Sequence, residues 1–168
     1  MEQIYIALID TPGLFADVIR KVTGLSYVHV ALSLDSRLEE TYSIGRRNPF
    51  IPVLAGFERE DKRKILRAFP TAEYQVSSLP CSKYQKEELT AALRKCYEKR
   101  FFYHYCILGL PFVLAGRPFY QRNHYTCSSF LARLLEEQGI LTFGKHFSLV
   151  TPRDFYEIKE KTVIFEGN

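Results

Sequence analysis

The chain has no tryptophan and a single methionine, so Phe and Tyr alone carry its 14% aromatic content. Its four cysteines, Cys81, Cys96, Cys106 and Cys127, include no Cys-x-x-Cys pair. That absence argues against a two-armed zinc site. No basic stretch opens the chain: Met1-Glu2-Gln3-Ile4-Tyr5 is acidic and leads directly into a strand-like run, so no secretory signal is expected. Reduced thiols in a cytoplasm follow as the expectation, in place of a disulfide framework. Long apolar runs are also missing. The longest, residues 105–116, contains Pro111 and falls short of the ~20 residues of a membrane span, so it reads as a buried helix. Charge of one sign is missing as well. The net charge is +4, and the densest run, Glu58-Arg59-Glu60-Asp61-Lys62-Arg63-Lys64, mixes both signs. It reads as a solvated segment, and nucleic acid is not an expected partner. No internal repeat, low-complexity tract or linker interrupts the sequence.

What is present is an ordinary globular composition, 46% hydrophobic and 25% charged over 168 residues, which fits a single domain spanning residues 1–168. Residues 3–9 alternate as a first strand. Pro12 opens a helix over 14–22 that stops at Gly24. Residues 27–34 and 38–44 read as a hairpin around Asp35-Ser36-Arg37. Residues 45–57, with two prolines and two glycines, read as a long surface loop, and residues 62–69 are ambiguous. After a strand at 73–79, Ser82-Lys83-Tyr84-Gln85 has the form of a capping box, which starts a helix running to about Phe101. A second helix starts at Cys127 and ends at Gln138-Gly139. A short helix capped by Thr151 and a strand over 161–166 close the chain. Strands gather at both ends with helices between them, which is an α+β pattern.

Cys127 is the residue with the most chemical promise. It stands in Tyr125-Thr126-Cys127-Ser128-Ser129-Phe130, just ahead of the apolar series Phe130, Leu131, Leu134, Leu135. A thiol in the first turn of an amphipathic helix meets unbonded N–H groups and the positive end of the helix dipole, which favour a thiolate. A nucleophilic cysteine also needs a base and a group to orient that base. Of the four histidines, His29 lies in the strand 27–34. There, alternation puts it on one face with Ala31 and Ser33, opposite the apolar Val28, Val30, Leu32 and Leu34. Its small neighbours leave room for a helix end or a substrate. His124, in the loop before the Cys127 helix, is an alternative base. His124 with Cys127, and His104 with Cys106, offer irregular metal-ligand spacings, and no metal or other cofactor is expected.

The order His29-Val30-Ala31-Leu32, acidic return strand Leu38-Glu39-Glu40-Thr41-Tyr42, and late Tyr125-Thr126-Cys127 resembles the permuted papain-like cysteine hydrolases of the NlpC superfamily. That branch holds the YiiX-like proteins and the lecithin retinol acyltransferase-like enzymes. In it the His strand precedes the Cys helix, and here His29 precedes Cys127 by 98 residues (127 − 29). The resemblance implies a circularly permuted papain-like fold, an antiparallel sheet packed against helices. It makes Cys127 the nucleophile and His29 the base, with Tyr125 and the Cys127 N–H at the oxyanion. The base-orienting residue is Glu40 or Tyr42. The implied reaction is acyl transfer on an amide or ester of a small molecule, peptide or lipid, as a hydrolase or a transferase. A non-catalytic ligand- or lipid-binding module on the same fold is the alternative. Arg46 and Arg47 could hold an acidic substrate group, or simply face solvent. Residues 102–119 could face lipid if exposed, but their lack of a polar face fits a core segment better.

Overall fold

The structure, a computed structural model, describes residues 1–48 and 51–168. Its elements run β1 (Glu2–Asp10), α1 (Leu14–Thr23), β2 (His29–Ser33), β3 (Thr41–Asn48), β4 (Ile51–Glu60), α2 (Lys62–Ala68), β5 (Glu73–Cys81), α3 (Lys83–Glu98), β6 (His104–Tyr105), α4 (Leu110–Leu114), β7 (His124–Tyr125), α5 (Cys127–Glu137), α6 (Pro152–Tyr156) and β8 (Thr162–Gly167). Six strands form one antiparallel sheet in the order β4-β3-β2-β1-β5-β8. The architecture is therefore α+β, a mainly antiparallel sheet with helices packed on it.

Strand alternation divides the core into two layers. On one side Ile4, Ile6 and Leu8 of β1 join Val30, Leu32, Tyr42, Ile44 and Phe57 beneath α3 and α5. On the other, Ala7, Ile9, Ala31, Tyr74 and Val76 pack against Ile65, Leu66 and Phe69, from α2 and the residue that caps it. Burial of this kind contributes roughly 25 cal/mol per Å² of apolar surface, so the middle strands β1 and β2, covered on both faces, form the most firmly held part of the sheet.

The helix starts follow local chemistry. Ser82 and Gln85 form a reciprocal capping box at α3, and Thr126 and Ser129 form one at α5. Asp61 accepts the N–H groups of Arg63 and Lys64 at α2. Gly24 and Gly139 take left-handed conformations, φ 65° and 62°, after α1 and α5.

Two sequence expectations give way. The long loop assigned to residues 45–57 is instead most of a β3–β4 hairpin, in which Gly45 pairs with Gly56 and Thr41 with Glu60. Pro49 and Phe50 of that stretch lie outside the described residues. The helix expected at residues 105–116 is short and unburied: α4 covers only Leu110–Leu114 and contains no buried residue. Leu108, Phe112 and Leu114 are exposed.

Candidate functional site

His29 is the first residue of β2 and is paired in register with Ile9 of β1. Its Nε2 lies 2.5 Å from Glu60 Oε1 and 3.2 Å from Ser43 Oγ. Ser43 Oγ also donates to Glu60 Oε1. Ser43 comes from β3 and Glu60 from the last position of β4, so three neighbouring strands each supply one polar side chain. The side chains of His29 and Glu60 are only 19% and 12% exposed, so water screens the pair weakly. A Cβ on Gly45 would meet His29 Cε1 at 3.1 Å, Ser43 Oγ at 3.2 Å and Glu60 Oε1 at 3.4 Å. The absence of a side chain at position 45 leaves the imidazole its place.

Cys127 is the first residue of α5, which packs across β2 and β3. That packing sets the thiol near enough to the imidazole to act on its charge. Burial alone would depress the His29 pKa, but the Glu60 carboxylate, then the charge and hydrogen bond of Cys127, raise it well above the usual histidine value. Glu60 moves the other way. Burial pushes its carboxyl up, and the His29 charge, with hydrogen bonds from His29 and Ser43, brings it to a net value below the ordinary range. The two shifts agree on an imidazolium–carboxylate pair. Because Nε2 serves Glu60, Nδ1 is the nitrogen left for the thiol.

The start of α5 is held firmly. Ser129 N–H is capped by Thr126 Oγ1, and Ser128 Oγ donates to Val150 O at 2.6 Å. The N–H groups of Cys127 and Ser128 occupy helix positions with no intrahelical acceptor, so they are free to point at an anion.

An open cleft enclosing about 470 Å³, part of it continuous with solvent, has Cys127 among its lining residues. Its walls are Val18, Ile19 and Val22 of α1, Leu110, Val113 and Leu114 of α4, and Val150 to Pro152. Tyr105 of β6 also lines it. Burial, then the nearby Cys127 and Cys106, raise the Tyr105 pKa, while Arg46 works against them. The cleft is lined almost wholly by apolar groups.

Several expected site residues lie elsewhere. Glu40 does not reach His29. It sits in the turn before β3, where Asp35 accepts its N–H, so strand alternation does not govern its direction. Its carboxylate is held by Arg94 at 3.1 Å and by the Tyr42 hydroxyl at 2.9 Å, and Arg94 keeps it below the usual carboxyl range. Tyr42 is buried in the α5-side core, stacked on Phe57 at 5.8 Å, on the face opposite Ser43. The Tyr125 side chain also turns into the core: its hydroxyl accepts from Arg133 at 2.7 Å and meets Tyr120 at 3.1 Å. It therefore does not face an oxyanion at Cys127; the ring lining the cleft is Tyr105.

Arg47 is committed to structure, donating to the carbonyls of Arg100 and Tyr103 and pairing with Glu58 at 3.4 Å. Arg46 donates to Pro12 O and lies over the Phe69 ring, and its charge reaches Tyr105 at the cleft. His124 turns away, with Nδ1 on the Arg122 carbonyl.

Sequence reasoning missed Glu60, Ser43 and Tyr105. Glu60 lay inside the charge run read as solvated. Ser43 was on the expected strand, but the expectation that Glu40 and Tyr42 face His29 put it on the opposite side by alternation. Tyr105 had no signal beyond its place in an aromatic stretch.

Among the described residues no three His, Cys, Asp or Glu side chains converge in a way that would hold a metal ion. A scan against protein-family models finds no match, and a search of curated proteins finds none. Among solved structures the chain is similar in fold to the metalloprotein yiiX from Escherichia coli O157:H7. The TM-score is 0.63 at 12% identity, over 98% of this chain and 97% of that one.

Proposed function

We propose that this chain is a cysteine enzyme of acyl transfer, a hydrolase of amide or ester bonds with the permuted papain-like arrangement, in which Cys127 is the nucleophile and His29 the base. The observation that carries the reading is the meeting of the Cys127 thiol, at a capped helix start, with an imidazole anchored by a buried carboxylate. A chain order of His strand before Cys helix, and the fold likeness to yiiX, support it.

The chemistry runs in two halves. In the resting pair His29 already carries the proton given up by the Cys127 thiol, as the imidazolium that Glu60 stabilises, and the sulfur adds directly to the substrate carbonyl carbon. The resulting oxyanion is held by the N–H groups of Cys127 and Ser128, a kind of contact worth ~3 kcal/mol per donor where such groups are pre-aligned. The imidazolium returns its proton to the leaving amine or alcohol as the C–N or C–O bond breaks, leaving a thioester on Cys127. Water, deprotonated by His29, then attacks the thioester; the acid leaves and the thiol is restored. Glu60 keeps Nε2 protonated and stabilises the imidazolium, and Ser43 fixes the carboxylate.

The test uses a p-nitrophenyl ester of a short aliphatic acid as probe. Intact-mass measurement should find one acyl adduct, mapped to Cys127, and steady-state release of nitrophenol should vanish in Cys127→Ala and His29→Ala. Equal release by the wild type and Cys127→Ala would defeat the proposal.

A further inference from the structure

The segment from Lys99 to Leu135 contains five Lys or Arg residues, Lys99, Arg100, Arg117, Arg122 and Arg133, and no Asp or Glu. It also contains several exposed large apolar side chains. Ile107 is 50% exposed, Leu108 65% and Leu114 59%, and Phe112 is also exposed. Across the cleft, Val18 and Val22 of α1 are exposed as well. These side chains do not form isolated spots. Leu114, Val18 and Val22 line the two walls of the cleft that holds Cys127, and Phe112 lies in the same short helix as Leu114, with Ile107 and Leu108 just before it. A contiguous exposed apolar rim on a soluble surface marks an interaction site. Two cations of the segment, Arg117 shortly after α4 and Arg122, are exposed, and neither forms an ion pair among the described residues.

From this combination we propose that the lip formed by α4, the residues just before it and the outer face of α1 is a membrane-docking surface, which sets the cleft mouth against an anionic phospholipid bilayer. Charge complementarity selects this occupant. Apolar side chains that dip into the headgroup–acyl boundary suit a negatively charged lipid surface here, because residues 99–135 carry five cations and no anion and α1 carries Arg20 and Lys21 against the single anion Asp17. No helix among the described residues is long and apolar enough to cross a membrane, so the contact is peripheral and reversible. The proposal does not depend on Cys127 being a nucleophile.

Vesicle co-sedimentation tests it, using phosphatidylcholine vesicles with and without phosphatidylglycerol. The intact chain should pellet with the anionic vesicles, much less with the neutral ones, and progressively less as salt rises. Leu108→Glu/Leu114→Glu should weaken binding, and Arg117→Glu/Arg122→Glu should weaken it roughly tenfold or more. All four positions are exposed, and circular dichroism would verify that both double variants fold. Equal binding to neutral and anionic vesicles, or undiminished binding by both variants, would overturn the proposal. So would light scattering that shows a dimer in the wild type and a monomer in Leu108→Glu/Leu114→Glu, because the surface would then belong to an interface between copies.

Discussion

At the residue scale the decisive contrast is between two glutamates. Glu40 and Glu60 both hydrogen-bond a side chain and both have lowered pKa values, but their partners differ. Arg94 is the main cause at Glu40, whereas at Glu60 it is His29, working against burial. Glu60→Gln should therefore lower turnover of the nitrophenyl ester by about 10²–10⁴-fold, the scale on which base-orienting carboxylates act. Glu40→Gln should leave it within about twofold, because a largely exposed ion pair is weak and does not act on the imidazole. Steady-state kinetics of the two variants side by side measure this. Sequence alone could not separate the two carboxylates. Proximity along the chain favoured Glu40, whereas Glu60 reaches His29 only because β4 pairs with β3, and that pairing was hidden in a Pro- and Gly-containing stretch.

At the element scale, the starts of α3, α5 and α6 were legible, because a cap depends on residues three or four apart, whereas α2 stayed ambiguous although Asp61 caps it. The ends of β1, β2 and β5 followed alternation in the same way. The β3–β4 hairpin and the exposed α4 were not legible, since both depend on what packs against them. Gly56 and Pro52 hid a strand, and an all-apolar stretch read as buried although the fold leaves no layer to cover it. Gly45 has its reason at this scale. Gly45→Ala would push a methyl group to within 3.1–3.4 Å of His29, Ser43 and Glu60. It should cut ester turnover by at least tenfold while shifting the melting temperature little, as read by kinetics and thermal unfolding on the same sample. At α5, Thr126→Ala removes the cap on Ser129 N–H. The loss of about 1 kcal/mol should lower the melting temperature by about 2–4 °C for a chain of this length.

At the scale of the whole molecule, the His29–Glu60 pair links stability to pH. The folded His29 pKa is raised above its unfolded value, so its contribution is fully present below about pH 6.5 and is lost as pH rises through the folded value. The folded Glu60 pKa is lowered, so its contribution is present above about pH 4.3 and is lost as pH falls through the folded value. Between those limits both act. The gap in melting temperature between the wild type and Glu60→Gln should be widest near pH 5–6.5 and narrow toward alkaline and strongly acidic pH. A gap that stays constant with pH, followed by circular dichroism, would mean the two groups do not titrate as a pair. The sheet also explains why a thiol and an imidazole 98 residues apart can meet. β2 is an inner strand, and α5 is laid directly across it, so the site is built on the most enclosed part of the fold.

Mapped alkylation tests the central claim most directly. Cys127 is only 2% exposed, while Cys96 is the most accessible of the four thiols, so accessibility alone would rank Cys96 first. Burial holds the thiols of Cys81, Cys96 and Cys106 above the ordinary range. With iodoacetamide at neutral pH, followed by peptide mass mapping, Cys127 should be modified fastest of the four. His29→Ala should abolish that lead while leaving the other three rates unchanged. Labelling led by Cys96, or a Cys127 rate indifferent to His29→Ala, would contradict the account.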